Sequence, residues 1–365
     1  MAANVEKMPW WAWAFPALSW AMLGATTLDA ADASSLPVVL LDAALLGGTV
    51  FAAVHHAEVV AARVGEPFGS LVLAVSVTVI EVALIVSLIL SGGPDKAALA
   101  RDTVFAAVMI VCNGIVGLCL LSGGARHGEQ GFQVRGAASA LAVLATLSVL
   151  ALVLPNYTLG KAGPVFTPAQ LLFVGVVSLS LYGVFVFVQT VRHRDYFLSA
   201  AAPDEDAAPA LRPSAGAALA SLALLVGALA AVVLLAKTLS PALQAAVGAA
   251  GLPAAVVGVA IAALVLTPEG LAALRAARAD RLQTSLNLAL GSALATIGLT
   301  IPAVAAVSLL LGFDLVLGLE TKDTVLLVLT LFVAVLTLGT GRTTVLQGSV
   351  HLVIFAVFLF LAASP

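Results

Sequence analysis

Apolar positions in this chain do not alternate with polar ones. They gather into long runs separated by short polar breaks. A helix needs about 20 mostly apolar residues to cross a bilayer. On that measure the spans fall at 10–28, 36–61, 68–91, 103–122, 136–155, 168–190, 215–236, 253–274, 284–304, 302–318, 324–339 and 345–363. The ninth and tenth are poorly separated. Pro302 within them reads as a kink in one long bent helix rather than a turn between two. The pattern therefore predicts an all-α polytopic membrane protein of about eleven transmembrane helices.

One stretch breaks the pattern. From Arg192 through Asp204, Glu205, Asp206 and Arg212 the chain is polar, and it reads as a solvated linker over 192–213. A short acidic run without a coordinating loop pattern is weak evidence for calcium sensing. The linker divides the chain into an extra N-terminal helix (1–34), a first five-helix portion (35–191) and a second (214–365). With the N-terminus inside, eleven lysines and arginines fall in inner loops and five in outer ones, which predicts a cytosolic N-terminus and an outer C-terminus. The odd helix count then sets the two five-helix portions in opposite orientations. Inverted repeats of this kind are a recurring plan of secondary transporters.

Composition agrees: 62% of residues are hydrophobic, 10% are charged, and the mean hydropathy is +1.14. No water-facing shell could be built from so few polar groups. The N-terminal segment lacks a basic region followed by a cleavage site, so Trp10 to Leu28 is expected to stay as a span. Cys112 and Cys119 share one apolar run and read as packing residues. The bilayer is one expected partner. Nothing suggests nucleic acid or an organic cofactor, and the oligomeric state cannot be read from the sequence.

Two carboxylates stand out. Glu81 follows Pro67 by 14 residues, roughly 20 Å along its helix and well inside the hydrocarbon. Burying it there costs at least about 2.5–3.5 kcal/mol, and no lysine or arginine of the first half lies at matching depth. Glu269 follows Pro253 by 16 residues, within Thr267-Pro268-Glu269-Gly270. Pro268 removes a backbone donor and Gly270 loosens the helix, so carbonyls come free beside the carboxylate. Such an oxygen-rich spot suits a hard cation. Arg275, about 9 Å further along, keeps open the alternative that this helix ends near water.

Polar groups follow each glutamate. Ser285, Asn287, Gly291 and Ser292 lie on the helix after Glu269, with Gly291 read as a place of close helix approach; Asn113 lies on the helix after Glu81. Ser76 and Thr78 precede Glu81, and Thr78 shares its face. All of these also suit ordinary helix packing. Two carboxylates without fixed basic partners form a doubly negative pocket, relieved either by protons or by a cation. The two solutions exclude each other, which is the logic of a cation/proton antiporter.

At these residues the sequence resembles the calcium/proton exchanger branch of the cation/calcium antiporter superfamily, and within it the bacterial ChaA-type antiporters. The segments that carry the resemblance are Gly65-Glu66-Pro67-Phe68-Gly69-Ser70-Leu71, Ser76 to Val82, Thr267 to Leu271, Gln283 to Ser292, and Thr340 to Gly348 with His351. It runs from about residue 35 to the end. The resemblance implies eleven helices in inverted repeats with a cytosolic linker. It implies cation and proton binding by Glu81 and Glu269, with polar groups near Asn113 and Ser292 completing the site. The chain departs from the family where Thr78-Val79-Ile80, rather than Gly-Asn, leads into the first glutamate.

Glu66 is read as a helix-start carboxylate or an ion-access group. His55, His56 and His351 are candidates for pH gating, weighed against plain packing. The expected activity is proton-driven cation efflux across the cytoplasmic membrane. Calcium is the first candidate, because two carboxylates match a divalent charge, and sodium or potassium is the second. A channel is a rival. An intramembrane enzyme is another, but the chain shows neither a metal-ligand His–Glu pattern nor a phosphate loop.

Overall fold

The structure, a computed structural model, describes residues 8–28, 32, 35–65, 68–92, 98–198, 213–253 and 255–364. Eleven continuous helical segments run through them. They are α1 (Trp10–Thr27), α2 (Leu36–Val64), α3 (Phe68–Gly92), α4 (Leu99–His127), α5 (Val134–Tyr157), α6 (Pro168–Arg192), α7 (Ala215–Ala249), α8 (Ala255–Arg278), α9 (Leu282–Leu311), α10 (Thr321–Leu338) and α11 (Val345–Ala363). Nine are long and apolar enough to cross a bilayer, and α3 adds the apolar stretch Val72–Ser87. The run that sequence left ambiguous is one helix, α9. It widens into a π-turn over Thr296–Thr300, just before Pro302. That turn sets aside the hydrogen bonding that proline cannot join, so the helix continues instead of stopping.

Local chemistry sets the ends. Thr167 and Gln170 form a reciprocal capping box at the start of α6, and Thr344 and Gln347 do the same for α11. Gly312 closes α9 in the left-handed region, at φ 73°, where a side chain would be strained. At 35 residues, α7 is roughly 50 Å long and exceeds the hydrocarbon thickness.

The helices divide into two compact units, and each draws on both sequence halves. The first holds α1, α2, α3 and α7. Here α2 packs along α7, and Ser19 of α1 meets Thr49 of α2 at 2.7 Å between two buried hydroxyls. The second holds α4–α6 and α8–α11. Its α4 lies against α8 and α11. Gly348 sits so close to α4 that a Cβ would run into the backbone of Leu121. The core of this unit is aliphatic and small, with Ala106, Val108, Leu144, Ala293 and Leu294 all fully buried.

One end of the second unit is tied together by polar contacts. Gln130 donates to the Ala277 carbonyl at 3.0 Å, and Arg278 donates to Ser122 at 2.8 Å. Residues Gln130–Gly131 also pair antiparallel with Arg342–Thr343. The Thr340–Gly348 segment thus supplies a strand pair, a helix cap and a close helix contact.

Candidate functional site

Glu81 lies in the middle of α3 and is 2% exposed. The helix passes it without interruption. Ser76 and Thr78 are buried beside it, and each hydroxyl donates to the carbonyl four residues back, at 2.8 Å to Val72 and Ala74. A hydroxyl that spends its hydrogen this way keeps its lone pairs for a cation. Glu66 lies outside the described residues.

Glu269 belongs to the other unit, on α8, and is half-buried. The helix also continues here, through Pro268. Proline cannot donate to the Leu264 carbonyl, so that oxygen is released from the ladder. The Thr267 hydroxyl, on an exposed position, donates to the Ala263 carbonyl at 2.6 Å. Gly270 allows the step to press on α4: a Cβ there would lie 3.0 Å from the Ile115 side chain. Ile115 closes the π-turn Ile110–Ile115, which also holds Asn113. π-turns in α-helices concentrate at functional sites, and α9, which packs on this one, carries a π-turn of its own.

Asn113 is fully buried and joins three helices. Its amide donates to Thr330 of α10 at 2.9 Å, and its carbonyl accepts from His351 Nδ1 of α11 at 3.1 Å. The other ring nitrogen of His351 accepts from Thr337 at 3.2 Å. His351, 0% exposed, therefore sits inside a polar network next to the wide turn. His55 and His56 lie elsewhere, in the contact between α2 and α1. His56 donates to the Ala12 carbonyl at 3.0 Å, and the His55 ring lies 5.2 Å from that of Trp11.

The polar residues of α9 separate into two groups. Ser285 is fully buried. Asn287 instead works as a latch: it donates to the Phe197 carbonyl at 2.6 Å and accepts from Gln283 at 2.9 Å. Phe197 belongs to the turn after α6 and lines a narrow crevice together with Ala140, Phe185, Leu290 and Gly291. Ser292 is half-buried next to Gly291. Gly291 does not serve a close helix approach, because among the described residues no atom lies within 4 Å of a Cβ built there. Close contacts of this kind are found at Gly48, Gly124 and Gly136, at Gly298 against the Tyr182 ring, and at Gly348.

Sequence reasoning missed three features. Thr330 and Thr337 complete the Asn113–His351 network, which only tertiary contact reveals. The π-turns leave no periodic signature. Asp42, 3% exposed on α2, carried the same signal that singled out Glu81, a carboxylate inside an apolar run.

The sodium/calcium exchanger protein family matches residues 34–191 and 220–363. A Sinorhizobium fredii protein, y4hA, named as a proposed ionic transporter, is 56% identical over 98% of this chain and 97% of its own length. The Escherichia coli sodium-potassium/proton antiporter ChaA is 36% identical over 90% of each chain. Among solved structures, native YfkE superposes with a TM-score of 0.73 at 15% identity, covering 97% of this chain and all of its own. The H+/Ca2+ exchanger CAX does so with a TM-score of 0.69 at 16% identity, covering 95% of this chain and 87% of its own. These two show a shared fold. With nearly the whole chain matched, this multi-pass membrane protein belongs to the sodium/calcium exchanger protein family.

Proposed function

We propose that the chain is a cation/proton antiporter in which Glu81 and Glu269 hold either the exported cation or the returning protons. The observation that carries this is Glu81 itself, a carboxylate 2% exposed in the middle of an apolar helix. In a bilayer such a group is stable only with a proton, a cation or a built partner. Two of these three alternate during exchange. Glu269, beside a helix step that frees backbone oxygen, has the same chemistry. Ser76, Thr78, Thr267, Asn113, Ser285 and Ser292 are the candidate supporting oxygens.

The printed name of the ChaA relative supports antiport against protons, and the repeated family match over 34–191 and 220–363 supports two related halves. Family membership speaks for transport rather than enzymatic chemistry. The lysine and arginine count supports a cytoplasmic membrane location with the N-terminus in the cytosol. Calcium balances two carboxylates with one ion. Sodium or potassium is the second reading, favoured by what ChaA is named to carry.

The test is proton movement in inverted vesicles under an imposed pH gradient, with calcium, sodium and potassium added in turn. One cation is expected to collapse the gradient, and Glu81→Gln and Glu269→Gln each to reduce the effect to background. Wild-type rates in a folded Glu81→Gln protein would sink the proposal.

A further inference from the structure

A third intramembrane carboxylate is left unused by this exchange. Asp42 lies on α2, seven residues before Thr49 and on the same buried face, and it is 3% exposed. Thr238 of α7 is its polar neighbour, but that hydroxyl donates its hydrogen to the Leu235 carbonyl at 2.8 Å. Its Oδ1 is buried and has no hydrogen-bond partner among the described residues. All of this lies within one compact unit.

The elements around Asp42 offer it little compensation. α1 carries no charged residue, and α3 carries Glu81 alone. α7 carries only Lys237, whose side chain is exposed. On α2 itself the titratable groups His55, His56, Glu58 and Arg63 begin 13 residues later, roughly 20 Å along the helix. One hydroxyl does not offset the cost of an ionised carboxylate in hydrocarbon.

We propose that Asp42 is a further proton-binding site of this protein, loaded from the side of the membrane where α2 begins. The step is simple: a proton from that side forms an O–H bond on the carboxylate, and the same bond breaks when the proton leaves. Asp42 lies about 9 Å from the start of α2, nearer that end of the helix than its middle. Because α3 also packs on α2, the charge of Asp42 is felt in the unit that holds Glu81. The transport consequence rests on the antiport reading, whereas the binding of the proton does not.

Infrared difference spectra of the purified full chain, taken between alkaline and acidic pH, test the binding. A carbonyl band of a neutral, buried carboxylic acid is expected to grow on acidification. It should persist in the Glu81→Gln/Glu269→Gln double variant and vanish when Asp42→Asn is added to it, with each variant checked for a monodisperse elution profile. In vesicles, Asp42→Asn is expected to shift the pH of half-maximal exchange by about one unit. A band that does not change with pH, or one that survives unchanged when Asp42→Asn is added to the Glu81→Gln/Glu269→Gln double variant, overturns the proposal. If the wild type shows no exchange, antiport fails while the spectra still decide Asp42. If the spectra hold but the pH profile of Asp42→Asn matches wild type, the proton site stands and its coupling to transport falls.

Discussion

The two helices that carry the glutamates proposed to bind cation and protons would solve one problem in different ways. α3 stays regular around Glu81, which is almost wholly buried, and its extra oxygens come from Ser76 and Thr78. α8 places Glu269 in a less buried position and draws its extra oxygen from the backbone, where Pro268 cannot bond to Leu264. A regular helix fixes its side chains precisely and resists adjustment. A proline step exposes strong acceptors and gives some play. The contrast suggests a rigid carboxylate on one helix and a compliant one on the other.

The sharpest way to break this contrast is to shorten each carboxylate by one methylene. Glu81→Asp is expected to lower the exchange rate about a hundredfold, the scale of a misplacement near 1 Å. Glu269→Asp is expected to lower it only about tenfold, because α8 can follow. Equal losses in vesicle assays would remove the distinction. A smaller effect is expected from Pro268→Ala, which restores the missing backbone donor. It should raise the half-saturating cation concentration about tenfold, ~1.4 kcal/mol of binding, and leave Glu81 variants no worse than before. The smallest effect belongs to Thr78→Ala. Removing one neutral hydroxyl is expected to weaken cation binding two- to fivefold, within the usual worth of about 0.5–1 kcal/mol for such a contact. An unchanged half-saturation would show that the back-bonded hydroxyl gives nothing to the ion.

Much of this was legible before any coordinates. Long apolar runs dictate spans in a bilayer, and the count of eleven followed once Thr284 to Leu319 was read as one bent helix. Glu81 and Glu269 were visible because a carboxylate in hydrocarbon is expensive wherever it lies. Roles that depend on neighbours were not legible. Asn287 reads as a candidate site group, and its hydrogen bond to the Phe197 carbonyl is visible only in the fold. Gly291 looked like a contact glycine and faces open space among the described residues. His55 and His56 read as pH-gating or packing groups, and their contacts with α1 come only from the fold. Periodicity tells which face a residue occupies, but not what lies opposite. Asp42 is different: like Glu81 it is a carboxylate inside an apolar run, and its burial was legible though its neighbours were not.

The Asn113–His351 bond also has a dimension in time. Its two ends are 238 residues apart in the chain. At roughly 5–20 residues per second of synthesis, Asn113 enters the bilayer roughly ten to fifty seconds before the ribosome makes its partner. For that interval the amide must borrow partners from its own helix or from water. The wide turn beside it, where the main chain is already loosened, is a natural lender. A nascent chain that stops before α11 keeps the Asn113 amide bond to Thr330 but leaves the Asn113 carbonyl without its His351 partner, the mark of an unfinished protein.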